Sequence, residues 1–205
     1  MSRSLTHWPE TACSQWQTHD HPGSAQLVAC SRHVVIRSSD YNAPVHIREY
    51  LDSDWPSVWP IFREVVAAGD SFPYDPGWSS TQAREVWIES PPGRTVVACD
   101  GPRVLGTAKM GPNRPGPGSH VSTASFMVAA DARGRGVGRA LGEYAISWAR
   151  EQGYAAMQFN AVVESNHAAV RLWQALGFRI VGTVPEAFEH PTLGRVGLHV
   201  MHRFL

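Results

Sequence analysis

The sequence predicts a mixed α/β fold, one central sheet with helices on its faces. Three observations lead there. Strand-like and helix-like periodicities alternate from Val45 onward, and turn signals separate them. The chain is 43% apolar and only 18% charged, the composition of a folded core rather than a disordered segment. Its 205 residues suffice for one full domain with a sizeable core and a short appendage.

The elements follow in order. Residues 1–43 are expected to form an N-terminal extension, polar and interrupted by Pro9 and Pro22, and 44–205 the folded domain. Within the extension only Leu27–Cys30 and His33–Ile36 have the look of short strands. Val45-His46-Ile47-Arg48 alternates as a strand. Asp52 or Ser53 then caps a helix that carries Val58, Ile61, Phe62 and Val65 on one face and stops at Gly69. Phe72 to Gly77 is a turn-rich loop. Ser79 or Ser80 opens a second helix with Ala83, Val86, Trp87 and Ile88. Arg94–Cys99 and Arg103–Met110 flank Asp100-Gly101-Pro102 as a hairpin. Gly111 to Gly118 holds too many prolines and glycines for anything but loop. A long strand through Val128 comes next, then a helix after Gly138 and a strand over Ala155–Val163. A helix from about Asn166 to Leu176 is stopped by Gly177. Strands over Phe178–Val184 and Val196–Arg203 finish the chain.

Charge and cysteine usage narrow the function classes. Eighteen basic residues balance eighteen acidic ones, which argues against a general nucleic-acid or membrane-surface binder. Cys13, Cys30 and Cys99 have no metal-ligand spacing, and His7, His19 and His21 lack a carboxylate or thiol at chelating distance, so no metal is expected. No apolar run reaches bilayer length and no signal pattern opens the chain, so a cytoplasmic location is expected.

The most informative stretch is Arg133-Gly134-Arg135-Gly136-Val137-Gly138, between the strand ending at Val128 and the helix from Arg139. Alternating glycines that open a helix leave main-chain N–H groups bare at the positive end of its dipole, a cradle for phosphate or pyrophosphate. Arg133, Arg135 and Arg139 add positive charge. A Walker loop would need a lysine after its last glycine, but the sole lysine, Lys109, lies in a strand. The dinucleotide fingerprint needs Gly-x-Gly-x-x-Gly, whereas Gly134, Gly136 and Gly138 are spaced by two throughout.

Arg133-x-x-Gly136-x-Gly138 after a Met127-Val128 strand resembles the acetyl-CoA-binding signature of the GNAT superfamily of acyltransferases. Asn166-His167-Ala168-Ala169 and Leu172 to Phe178 resemble that superfamily's second signature, at a suitable distance. The resemblance covers roughly Val45 to Leu205. It implies a mostly antiparallel sheet of about seven strands, acetyl-CoA as co-substrate, and N-acetyl transfer. It also implies that the pyrophosphate lies on the amides from Gly134 to Arg139, Val137 and Gly138 among them. The pantetheine arm would pair with the strand at Phe126, Met127 and Val128, and an amide near Met127 or Val128 would polarise the thioester carbonyl. Asn166 would hold the pantetheine, although helix capping alone also accounts for it.

Where many members carry a tyrosine acid, seven residues after that asparagine, this chain has Trp173, whose indole cannot usefully surrender a proton. No general acid or base is therefore assigned; His120, Glu164 and Asp70 are the candidate bases, and a water relay stands beside them. Met157 to Val163, with Asn166 and Leu172-Trp173, is similar to acetyltransferases of proline-like cyclic imino acids such as azetidine-carboxylate. That likeness implies a small amine or imino acid acceptor, with Asn160, Phe126 and Thr123 (where that group often has asparagine) lining its site. A buried structural amide is the other reading of Asn160. A peptide or protein N-terminal acetyltransferase and a non-catalytic coenzyme-binding module are the alternatives, and a homodimer is compatible with the family.

Overall fold

The protein is described by a computed structural model over residues 45–205 and, for backbone alone, Val34–Ile36. The pairing considered for Leu27–Cys30 and the histidines at 7, 19 and 21 lie outside the described residues. Val34–Ile36 forms β1, which pairs with β2 (Val45–Glu49). The element order then runs as the sequence predicts: α1 (Trp55–Ala68), α2 (Ser80–Trp87), β3 (Arg94–Asp100), β4 (Arg103–Pro112), β5 (Val121–Val128) and α3 (Val137–Glu151). After these come β6 (Ala156–Val163), α4 (His167–Ala175), β7 (Arg179–His190) and β8 (Gly194–Phe204).

The described strands form one sheet in the order β1-β2-β3-β4-β5-β6-β8-β7. Every neighbouring pair is antiparallel except β5–β6. The expected seven strands are therefore joined by the three-residue β1. The last hairpin is longer than expected, because β7 continues past Pro185 to His190 and β8 begins at Gly194.

Alternation along the strands builds a core on each face of the sheet. On one face Ile47, Leu105, Met110, Met157 and Met201 pack with Leu141 of α3 and Trp173 of α4. On the other, Val97, Cys99 and Met127 pack against Phe62 and Val58 of α1 and Trp87 of α2. Burial at about 25 cal/mol per Å² of apolar surface makes these two layers the main stabilising term.

Local chemistry sets the helix ends. Ser79 caps α2, its Oγ accepting from the Gln82 N–H at 3.3 Å. Gly69 ends α1 at φ 65°, a left-handed position suited to glycine. The expected cap of α1 at Asp52 or Ser53 is displaced: a short 3₁₀ turn over Asp52–Asp54 precedes the helix. Asp54 turns its carboxylate to the Arg48 guanidinium instead, in two bonds of 2.6 and 2.7 Å.

Candidate active site

β5 and β6 are the parallel pair, and their main chains pair only at their starts, Val121 beside Ala156 and Ser122 beside Met157. Beyond these residues β5 stays on β4 as far as Val128. β6 follows β8 instead, through an irregularity between Phe159 and Val162. The strands splay into a V-shaped opening that forms part of a cleft of about 900 Å³.

Strand register decides which main-chain groups face that opening. In an antiparallel ladder, successive residues turn their N–H and C=O alternately toward and away from the partner. The Asn113 N–H donates to the Val121 carbonyl at 2.7 Å, and the Ala129 N–H to the Leu105 carbonyl at 2.9 Å. Odd-numbered residues of β5 therefore serve β4, and Ala124, Phe126 and Val128 present their groups to the opening. One expectation is corrected here. The Met127 main chain belongs to the β4 ladder, opposite Thr107, so it cannot pair with a ligand in the gap. Its side chain is buried against α1 and α2.

The glycine loop sits at the mouth of the same opening. Gly134 and Gly136 take φ values of 76° and 79°, which a side chain would strain. The Ala140 N–H, on the Gly136 carbonyl at 3.0 Å, makes the first bond into α3. Among the described residues, the amides of Gly134, Gly136, Val137, Gly138 and Arg139 donate to no main-chain carbonyl outside the regular ladders. Arg135 departs from the expected cradle. Its N–H bonds to the Ala132 carbonyl at 3.4 Å and its guanidinium pairs with Asp100 at 3.1 Å. Arg133 and Arg139 line the cleft, the latter 3.5 Å from Glu143. Gly142 lets α3 approach α4: a β-carbon there would sit 2.7 Å from Leu176 Cδ1 and 3.0 Å from Trp173 Cζ3.

The two faces of the opening differ in character. Phe126 lies on the α4 side, its ring centre 4.7 Å from Trp173 and 5.8 Å from Phe159. Trp173 is 7% exposed within this aromatic cluster, which also takes in Phe178. Asn166 caps α4, its Oδ1 accepting from the Ala169 N–H at 3.1 Å, and it lines the cleft. Beside it, Ser165 Oγ is the one buried side-chain N or O atom without a hydrogen-bond partner among the described residues. Thr123 and Asn160 lie at the far end of the cleft. Asn160 is exposed, not buried; its Nδ2 donates to Asn113 Oδ1 at 2.6 Å and its Oδ1 accepts from Gln158 at 2.8 Å.

Of the three candidate bases only Asp70 lines the cleft. Glu164 accepts from the Gly197 N–H at 2.9 Å, holding β6 to β8, and His120 Nδ1 lies 3.0 Å from the Pro117 carbonyl in a loop. Sequence reasoning passed over Tyr74, Phe72, Ser125 and His190, which also line the cleft. The first two sit in the aromatic loop between α1 and α2, and that aromatic content was the available signal. Burial, and after it Glu89, pushes the Tyr74 phenol above its ordinary range, so it stays protonated. His190 comes from the β7–β8 hairpin, whose Pro191 meets the end of α1: a β-carbon on Gly69 would lie 3.7 Å from its ring.

Residues 47–178 match the model of the acetyltransferase (GNAT) family, and the chain belongs to that family. Acetyl-CoA is the co-substrate of that family. The fold is similar to a GCN5-related N-acetyltransferase from Kribbella flavida, 60% identical, with a TM-score of 0.77 over 78% of this chain and 98% of that one. Two yeast proteins are similar over a shorter span. N-acetyltransferase aca1 of Schizosaccharomyces pombe is 33% identical over 84 residues, and Protein SPT10 of Saccharomyces cerevisiae 36% over 83. These spans are 41% and 40% of this chain, and they cover 40% and 13% of the two relatives.

The site suits that co-substrate. Paired glycines and a helix N-terminus are chemistry suited to a diphosphate, and the lining carries Arg133 and Arg139 against a single carboxylate, Asp70. A buried hydroxyl left unpaired costs about 1–3 kcal/mol, and an amide-rich ligand arm beside Ser165 would satisfy it. Among the described residues no helix is long and apolar enough to cross a membrane, and no cluster of ligating side chains could hold a metal ion.

Proposed function

We propose that this protein moves the acetyl group of acetyl-CoA onto the nitrogen of a small amine or imino acid in the cytoplasm. The observation that carries the reading is the splayed β5–β6 pair. Its opening joins the glycine cradle and α4 on one side to Thr123 and Asn160 on the other.

In this reading the diphosphate rests on the amides of Gly134 and of Gly136 to Arg139, with Arg133 and Arg139 adding charge. The pantetheine arm follows the outward groups of Phe126 and Val128. Asn166 keeps its Nδ2 for that arm while its Oδ1 caps the helix. The Val128 N–H faces the thioester oxygen. Attack by the amine places negative charge there, and one preplaced donor contributes about 3 kcal/mol. The carbon–nitrogen bond forms and the carbon–sulfur bond breaks. Coenzyme A leaves as a thiolate, since the buried Trp173 cannot give up its indole proton, and the proton shed by the attacking nitrogen passes through water to the thiolate. Thr123 and Asn160 meet the acceptor, while the Phe126 ring walls the coenzyme side. Neutral amides and hydroxyls suit a small zwitterion, and among the residues lining the cleft only Asp70 carries a negative charge to attract a polycation.

The edge strand β7 leaves Val181 and Val184 exposed, which supports pairing with a second copy of the chain. The function is tested by thiol release from acetyl-CoA with a panel of imino acids, amino acids and peptides. Transfer to small amines or imino acids is expected; tight coenzyme binding with no release from any acceptor would contradict it.

A further inference from the structure

Beyond Thr123 and Asn160 lies a second chamber of about 440 Å³, to which none of the roles above assigns a ligand. It shares Tyr74, Thr123, Ser125 and Asn160 with the main cleft, so it continues the acceptor side of the opening. Its wall carries Glu89 and Lys109. Lys109 is held in place from three directions. Its ammonium donates to the Val86 carbonyl at 2.7 Å, pairs with Glu89 at 3.1 Å, and lies 5.9 Å from the centre of the Trp87 ring. Strand register sets it opposite Ser125.

The chemistry of this wall is donor-rich. An ammonium has three protons, and the Val86 and Glu89 oxygens account for two. Ser125 and Thr123 add hydroxyls on the same face of β5, and the Tyr74 phenol is protonated. The one carboxylate, Glu89, and Lys109 offset each other's charge, so the wall is balanced in charge while its spare hydrogen-bonding groups are mostly donors. A polyamine would need unpaired acids here. A carboxylate finds a fixed cation and several hydroxyls.

We propose that this chamber is the head-group subsite of the acceptor. Lys109 selects acceptors that carry a carboxylate near the reacting nitrogen, and Glu89 moderates its pull. The inference rests on the small-amine reading above and narrows it to a chemical class. Because Lys109 is immobilised before any ligand arrives, little side-chain entropy is lost on binding.

The test measures kcat/KM by thiol release with matched pairs: proline and prolinamide, alanine and alaninamide. The wild-type protein is expected to favour the free acid over its carboxamide by about tenfold or more, the ratio that one well-placed charge contact of 1.4 kcal/mol produces. Lys109→Met brings the ratio to about one, while the calorimetric Kd for acetyl-CoA stays within about twofold of wild type. Glu89→Gln leaves the lysine less compensated and raises the ratio, a change that a merely structural pair would not produce. Lys109→Arg keeps the charge and retains the preference even if its melting temperature falls. Equal rates on acid and carboxamide in the wild type, or an undiminished ratio in Lys109→Met, would overturn the proposal. Acetylation of peptides but of no small amine is a separate result: it removes the underlying reading, and this subsite with it.

Discussion

Asn166 commits one end of its amide to capping α4 and leaves the other in the cleft, so capping does not compete with the ligand-holding role proposed for it. Asn160 is built differently. It is exposed on a strand and bridges to Asn113 across the mouth of the acceptor side, so its amide is positioned without being part of the core. Asn160→Ala is expected to raise the acceptor KM about tenfold and leave the acetyl-CoA KM unchanged, since removing one hydrogen bond from a bound ligand is worth about 1–1.5 kcal/mol. Steady-state kinetics in both substrates checks this, and equal kinetics would make the residue structural. Asn160 was legible in the sequence because it is polar in an otherwise apolar strand, and Asn166 because it opens a helix within a stretch that resembles the family's second signature. Ser125, Ser165 and Lys109 were not, because a lone hydroxyl or amine on a strand or turn gains its meaning only from what the fold places beside it.

At the scale of elements, the site depends on β5 parting from β6 while staying on β4. Gly106 makes the second half possible. It stands opposite Val128, and a β-carbon there would meet the Met127 carbonyl oxygen at 2.8 Å and Val137 Cγ1 at 3.1 Å. The obstructing atom is backbone and cannot swing away. Gly106→Ala is expected to cost about 1–3 kcal/mol, typical of overpacking in a full core, and to weaken coenzyme binding as Val128 and the start of α3 shift. Urea melts and calorimetry measure the two effects; an unchanged protein in both would contradict this account of the strand. The glycine loop and the Asn166 helix could be read in advance because each is a local arrangement of residues. The splay has no such local signature, since it follows from β6 choosing β8 over β5; only the family resemblance implied it. The direction of the Met127 main chain has no local signature either, because register with β4 sets it. The exact start of α1 was missed because Asp54 finds a guanidinium stronger than a helix end.

For the whole molecule, two apolar layers share one sheet, and few charges are tied into it. The Arg48–Asp54 pair is the best formed, with Asp54 only 7% exposed and also accepting from the Leu51 N–H at 2.8 Å. The Arg48 hydrogen bonds hold its carboxyl below the ordinary range, against the opposing effect of burial. The unfolded chain therefore takes up this proton at a higher pH than the folded one. The stabilisation is fully present above about pH 4 and is lost as pH falls through the lowered folded value. Asp54→Asn is expected to lower stability at neutral pH by about 2 kcal/mol and to flatten the acid limb. Melting temperatures of both proteins between pH 3 and 7 test this; parallel curves would exclude Asp54 as a source of the acid dependence.

The central claim is that main-chain amides along the β5–β6 opening and at the start of α3 receive acetyl-CoA. Amide chemical shifts followed by ¹H–¹⁵N NMR during titration with acetyl-CoA test it most directly. Large shifts are predicted at Gly134, at Gly136 to Arg139, and at Phe126 and Val128, with Met127 and Arg135 moving less. Saturable binding whose shifts fall elsewhere, with those amides still, would contradict the account.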